Sequence, residues 1–249
     1  MSSSTTLERP REVEPKDLPA AVATLSSGRK RTKTAQRVAG VLLTAAGVVA
    51  VMVWITAEAL YSGVYSTHAD SLSHLGATEP PNSIVVQPSG TIFDVGMLVA
   101  GALIILSIWF LYRATRSKLV STSTGLLGVG VFGVGVFPLT SPNQHTIFAL
   151  IAFLSGGLAM VLSWRVTEPP FRFIWSALGV VSLVAIGLAF LAGHWQPIAA
   201  LGEGGIERWN CYPIVLWLVA FGTYLMSGHV ANDDSRSRKA VAGPLASAR

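Results

Sequence analysis

Residues 28–60 read GRKRTKTAQRVAGVLLTAAGVVAVMVWITAEAL. Five cations fall in the first ten positions, and 23 residues follow with one charge, Glu58. As a helix rising about 1.5 Å per residue, that apolar run covers the roughly 30 Å hydrocarbon layer of a bilayer. Lipid offers the backbone no hydrogen-bond partners, so the run must be helical.

Five further runs of similar character follow at 92–112, 119–139, 146–164, 173–193 and 212–228. Only 12% of the 249 residues are charged and 51% are apolar, with a mean hydropathy of +0.54. A soluble domain carries about 25% charge. The sequence therefore predicts an all-α integral membrane protein, a bundle of six transmembrane helices. It divides into a polar tail (1–36), a transmembrane domain (37–229) and a second polar tail (230–249), with both tails expected to be disordered. Ala57-Glu58-Ala59 fits a signal-peptidase site, but the apolar stretch before it is too long for a cleaved leader, so the first run is expected to stay as an anchor.

The basic residues sort by connection. All except Arg208 lie in the tails or in the connections after the second and fourth runs. The positive-inside rule then predicts that both termini are cytoplasmic and that the alternate connections face outward, in the plasma membrane. This distribution explains the pI near 9.7 without nucleic acid as a partner. The cluster at 28–37 reads as a topology determinant, with anionic lipid as the other reading. In the third run Ser121, Thr124, Gly125, Gly128 and Gly135 share about a third of the helical wheel, a stripe that allows close packing by another helix.

Counting helical rise from the inner cations Arg37, Arg113, Arg165 and Arg172 places Glu58, Asp94, His145 and His194 about 28–33 Å away, near the outer boundary. His68, Asp70, His74, Glu203, Glu207 and Arg208 join them from the outer connections. Three readings follow. A metal site, zinc for instance, would draw on His145, His194, His74 and Asp70 and support a metal-dependent membrane hydrolase acting on a lipid or envelope substrate. No H-x-x-x-H or H-E-x-x-H spacing accompanies it. A binding or transport site for a lipid-like or small ligand would use Arg208 for an anionic head group, with Glu58 or Asp94 as the partner charge. A purely structural reading makes Asp94 a helix-dipole partner, His145 the start of a helix, and Arg208 a neutraliser of nearby acids. Haem is not expected, since no histidine lies mid-membrane. Cys211 reads as an interfacial packing residue.

The outer connection 61–90 holds His68 and His74 and no lysine or arginine. Thr67-His68-Ala69-Asp70 fits a capping box and Gly76 a helix stop, which predicts a short interfacial helix. On it Tyr65, His68, Leu72 and Leu75 would share one face, with Asp70 and His74 nearly opposite at i,i+4, where they either pair or Asp70 serves only as a cap.

Several short motifs occur in order along the outer side: Tyr61-Ser62, Ser73-His74-Leu75-Gly76-Ala77, Phe93-Asp94, Gly135-Val136-Phe137-Pro138 followed by His145, and Glu207-Arg208 with Tyr212-Pro213 and Trp217. In these the chain resembles the domain-of-unknown-function 998 family of bacterial and archaeal multi-pass membrane proteins, over about 38–227. The resemblance implies a six-helix bundle and a bacterial source, and brings no established activity.

Overall fold

A computed structural model describes residues 18–191 and 200–228. Its long helices are α1 (Leu18–Ala59), α2 (Ser89–Thr115), α3 (Lys118–Val136), α4 (Pro142–Leu162), α5 (Phe171–Leu191) and α6 (Gly202–Met226). Single 3-10 turns form at Ser73–Leu75 and Ser163–Arg165. No strand occurs among the described residues. All six long helices are long and apolar enough to cross a membrane.

Two helices start ten or more residues earlier than hydropathy predicts. Helix α1 begins at Leu18, inside the stretch read as a tail, and passes unbroken through the basic cluster. Pro19 lies in its first turn, where a missing N–H is harmless, and no other proline follows before Pro80. Helix α6 begins at Gly202, ten residues ahead of the expected run. Glu203, Glu207 and Arg208 lower the hydropathy there, and Pro213 resembles a stop. Pro213 is nevertheless inside the helix, and Glu207 and Arg208 are bonded to the loop between α1 and α2.

Helices neighbouring in sequence pack in order from α1 to α5, and α6 returns to pack on α1 while also touching α4 and α5. The α1–α6 seam is a backbone contact. A Cβ on Gly40 would stand 2.5 Å from the Gly222 carbonyl oxygen, and one on Gly222 would stand 2.6 Å from that of Gly40. The small-residue stripe of α3 also behaves as expected, since Gly125, Gly128 and Gly135 lie against Ile108, Ile104 and Leu98 of α2. A second row, Gly130 and Gly133, admits Ala152 and Phe148 of α4.

The core has two parts. One is built around Leu43, Ile104, Leu127, Met160, Trp217 and Phe221, the last two stacked with ring centres 5.0 Å apart. The other lies toward the α1–α2 loop and contains Trp54, Phe93 and Met97 with Leu72 and Leu75 of that loop. Met52, Ile55, Leu106, Ile147 and Leu216 are more than half exposed, as side chains facing acyl chains should be. Helix α5 is the outermost, with 17% of its apolar window buried against 61% for α3.

Candidate functional site

The α1–α2 loop does not form the predicted interfacial helix over 67–76. It contains a turn closed by Asp70, which accepts the Ser66 N–H at 2.6 Å, followed by the three-residue 3-10 turn Ser73–Leu75. The cap therefore centres on Ser66 rather than Thr67. The cause is α6. In an α-helix the Leu72 N–H would bond the His68 carbonyl. Here the Glu207 carboxylate accepts the Leu72 N–H, and the Gly204 N–H donates to the His68 carbonyl at 3.1 Å. Both halves of the expected helical bond are satisfied by another segment.

Arg208 completes this attachment. Its Nη1 donates to the carbonyls of Thr67, Asp70 and Gly204 at 2.9, 3.0 and 2.9 Å, and its Nη2 to the Tyr65 hydroxyl at 2.6 Å. The Tyr65 hydroxyl in turn donates to the Ser71 carbonyl at 3.0 Å. Burial pushes the Tyr65 hydroxyl up to about 12, against an opposing pull from the Arg208 guanidinium. Burial, with a smaller contribution from Asp70, also raises Tyr61. Two glycines make the approach possible. A Cβ on Gly204 would collide with the Asp70 and Thr67 carbonyls. Gly202 has φ +68° and faces the His68 carbonyl, so a side chain there is excluded by conformation and by space.

Beside the attachment runs a polar chain that joins three elements. His145, 3% exposed near the start of α4, has Nδ1 2.7 Å from the Phe137 carbonyl oxygen and Nε2 2.9 Å from Ser73 Oγ. Ser73 Oγ also lies 3.1 Å from Glu207 Oε1. A carbonyl only accepts, so the network assigns a proton to Nδ1. The Ser73 hydroxyl has one proton for two neighbours. Both contacts are hydrogen bonds only when one further proton sits on His145 Nε2 or on Glu207, so the chain Glu207–Ser73–His145 can hold and relay a proton.

This chain borders a cleft of about 520 Å³ between α4, α5 and α6. Ala149, Leu150, Phe153, Ile186, Ala189 and Ile206 form its apolar part, and Ser71, Ser73, Glu79, His145, Glu203, Glu207 and Asn210 its polar part. Asn210, 2% exposed, accepts from Ser182 Oγ at 3.0 Å and ties α5 to α6 beside the cleft.

Of the residues placed at the outer boundary from sequence, His145, Glu203 and Glu207 line the cleft. Arg208 has its guanidinium turned to the loop. Asp94 lies under the loop, its Oδ1 buried without a hydrogen-bond partner and 3.0 Å from where a Cβ on Gly76 would stand. Glu58 lies at the end of α1, outside the cleft lining. The expected Asp70–His74 pair is present at 3.4 Å, with Tyr61 and Tyr65 edge-on to the imidazole at 6.0 and 6.3 Å. His194 lies outside the described residues. Among the described residues no three of His, Cys, Asp and Glu come together as a metal site. Ser73, Glu79 and Asn210 were not singled out as site residues. Serine and asparagine are unremarkable near helix ends, and the contact between Ser73 and His145 joins positions 72 apart.

The fold and its apolar surface define a multi-pass α-helical membrane protein. Over residues 44–224 the chain matches the family described as Protein of unknown function (DUF998), and it belongs to that family. No curated protein and no solved structure matches it. The short motifs that suggested the family converge in space: Phe137, His145, Ser73 and Glu207 form the polar chain, and Arg208 holds the loop beside it.

Proposed function

We propose that this protein binds, or moves within the membrane, a lipid-like or small amphiphilic ligand at the cleft between α4, α5 and α6. The observation that carries the reading is the form of that cleft. It is about 520 Å³, within the 300–1,000 Å³ usual for ligand pockets. It is apolar along α4 and α5 and polar where His145, Ser73 and Glu207 meet. The apolar part suits a hydrocarbon chain, and the polar chain suits a head group that both donates and accepts hydrogen bonds. The head-group role considered for Arg208 moves to His145, Ser73 and Glu207, because its Nη1 and Nη2 groups are already bonded to the loop and to the Gly204 carbonyl. With cations at one end of the bundle and carboxylates at the other, the proposed orientation keeps both termini cytoplasmic and the cleft outward in a bacterial plasma membrane.

Ala189→Trp tests the reading, because Ala189 lines the cleft on the least embedded helix. The variant should stay folded and lose most of the lipid that co-purifies with the wild type, measured by mass spectrometry of extracts. An unchanged lipid profile in a folded variant counts against a ligand in this cleft.

Hydrolysis is the second reading, and one observation favours it. Ser73 Oγ lies 2.9 Å from a His145 Nε2 whose ring is oriented by the Phe137 carbonyl, a nucleophile–base pair that needs no metal. Against it, the adjacent Leu72 N–H, which could steady a developing oxyanion, is occupied by Glu207. Covalent labelling of Ser73 by a fluorophosphonate probe would move the conclusion toward hydrolysis, and its absence retires that reading.

A further inference from the structure

At the end of the bundle away from the α1–α2 loop, two adjoining hollows of about 220 and 360 Å³ lie where α1 passes the end of α2. The first is lined by Arg31, Thr32, Arg113 and Arg116. The second shares Arg31 and Arg113 and adds Lys30 with Trp109, Phe110 and Ala35. Four cations from two helices thus converge, and neither lining contains a carboxylate. No described carboxylate forms an ion pair with any of the four.

Two further observations mark the place as built. Arg116 has φ 56°, and among the described residues it is the only non-glycine in the left-handed region. It caps the C-terminus of α2, where that conformation ordinarily falls to glycine, so an unfavourable backbone state is maintained at a residue that lines the hollow. Arg113 lies over the Trp109 ring, its Cζ 5.3 Å from the ring centre. Trp109 is 62% exposed, on the surface that faces lipid.

Cations that share a lining without a described carboxylate repel one another, and an anion between them is attracted by all four. Guanidinium groups match phosphate oxygens in bidentate geometry. The half negative charge at the α2 terminus is too small to satisfy four cations. Trp109, Phe110 and Ala35 give the hollow an apolar flank that leads into the acyl region. We propose that this pocket holds the phosphate of an anionic phospholipid, with an acyl chain along Trp109 and Phe110. Basic pockets between transmembrane helices are a recurrent form of such sites. The site is separate from the cleft and does not depend on the function proposed for it.

The test uses the full chain purified in a neutral detergent. Thermal stability is followed after adding phosphatidylglycerol, phosphatidylcholine or inorganic phosphate, and retained lipid is counted by native mass spectrometry. Phosphatidylglycerol should raise the melting temperature and remain bound, while the other two should do neither. Arg116→Gly removes the guanidinium and relieves the backbone, so the variant should fold and yet bind phosphatidylglycerol at least tenfold more weakly. Arg31→Gln should act likewise. Lys118→Gln changes an exposed cation that lines neither hollow and should leave binding unchanged. Equal stabilisation by inorganic phosphate would overturn the assignment to lipid. Wild-type affinity in folded Arg116→Gly and Arg31→Gln, or an equal loss in Lys118→Gln, would overturn the site.

Discussion

The two ends of the bundle treat their charges in opposite ways. At the α1–α2 loop end Glu207, Arg208, Asp70 and His145 are bonded to one another's backbone segments or to serine and tyrosine hydroxyls. At the other end Lys30, Arg31, Arg113 and Arg116 face hollows without a carboxylate. The first pattern is a polar clamp that fixes a loop, with a cleft at its edge. The second is a set of cations with no described carboxylate in the lining they share. A charged residue near a membrane boundary therefore signals little until its hydrogen-bond partners are known.

Breaking the clamp should have the largest effect. Arg208→Ala removes donors to three carbonyls and to Tyr65 and leaves the loop held to α6 by Glu207 and the Gly204 N–H alone. The expected loss is about 1.5–3 kcal/mol, the scale for hydrogen bonds made by a charged group. It should appear as a lower melting temperature and as new protease cleavage between residues 61 and 88. Arg208→Lys keeps the charge but not the planar fork and should recover only part of the loss. A wild-type melting curve for Arg208→Ala would remove the contrast between the two ends.

Ser73→Ala is a sharper cut, since it interrupts the chain between Glu207 and His145 and leaves Arg208 in place. Loss of its hydrogen bonds should cost about 1–2 kcal/mol and leave the loop resistant to protease. A loop cleaved as readily as in Arg208→Ala would show that the serine secures the attachment as much as the arginine does.

The smallest effect concerns pH. The Tyr65 hydroxyl is held up to about 12 in the folded chain, whereas an unperturbed tyrosine ionises near 10. The unfolded chain loses this proton first. The contribution is fully present below pH 10 and disappears as pH climbs from 10 through about 12. Melting temperature against pH should fall more steeply over that interval in the wild type than in Tyr65→Phe. Parallel curves would remove Tyr65 from the clamp.

The spans were legible because hydropathy reports burial in lipid directly, and the α3 stripe because small side chains at helical spacing have one use. The start of α6 was hidden by its own charges, which lower hydropathy for the reason that they matter: they bond the loop. The capping box at Thr67 is a local signal, and Gly204, Glu207 and Arg208 override it from more than 130 positions away. His145 was found because a histidine at a helix start is conspicuous. Ser73 was not, because a serine's role depends on which distant ring it meets. The roles considered for Glu58 and Asp94 came from depth alone, and depth does not say which way a side chain turns.

The contact of Gly40 with Gly222 carries a consequence for assembly. Helix α1 enters the membrane first during synthesis, yet its partner across this seam is α6, the last of the described helices to emerge. Glu207 and Arg208 arrive on that same helix. Until then the loop after α1 lacks its bonds to Glu207, Arg208 and Gly204. The ring closes and the polar chain is completed in one late event, so an assembly lacking α6 would hold the earlier helices without forming the cleft.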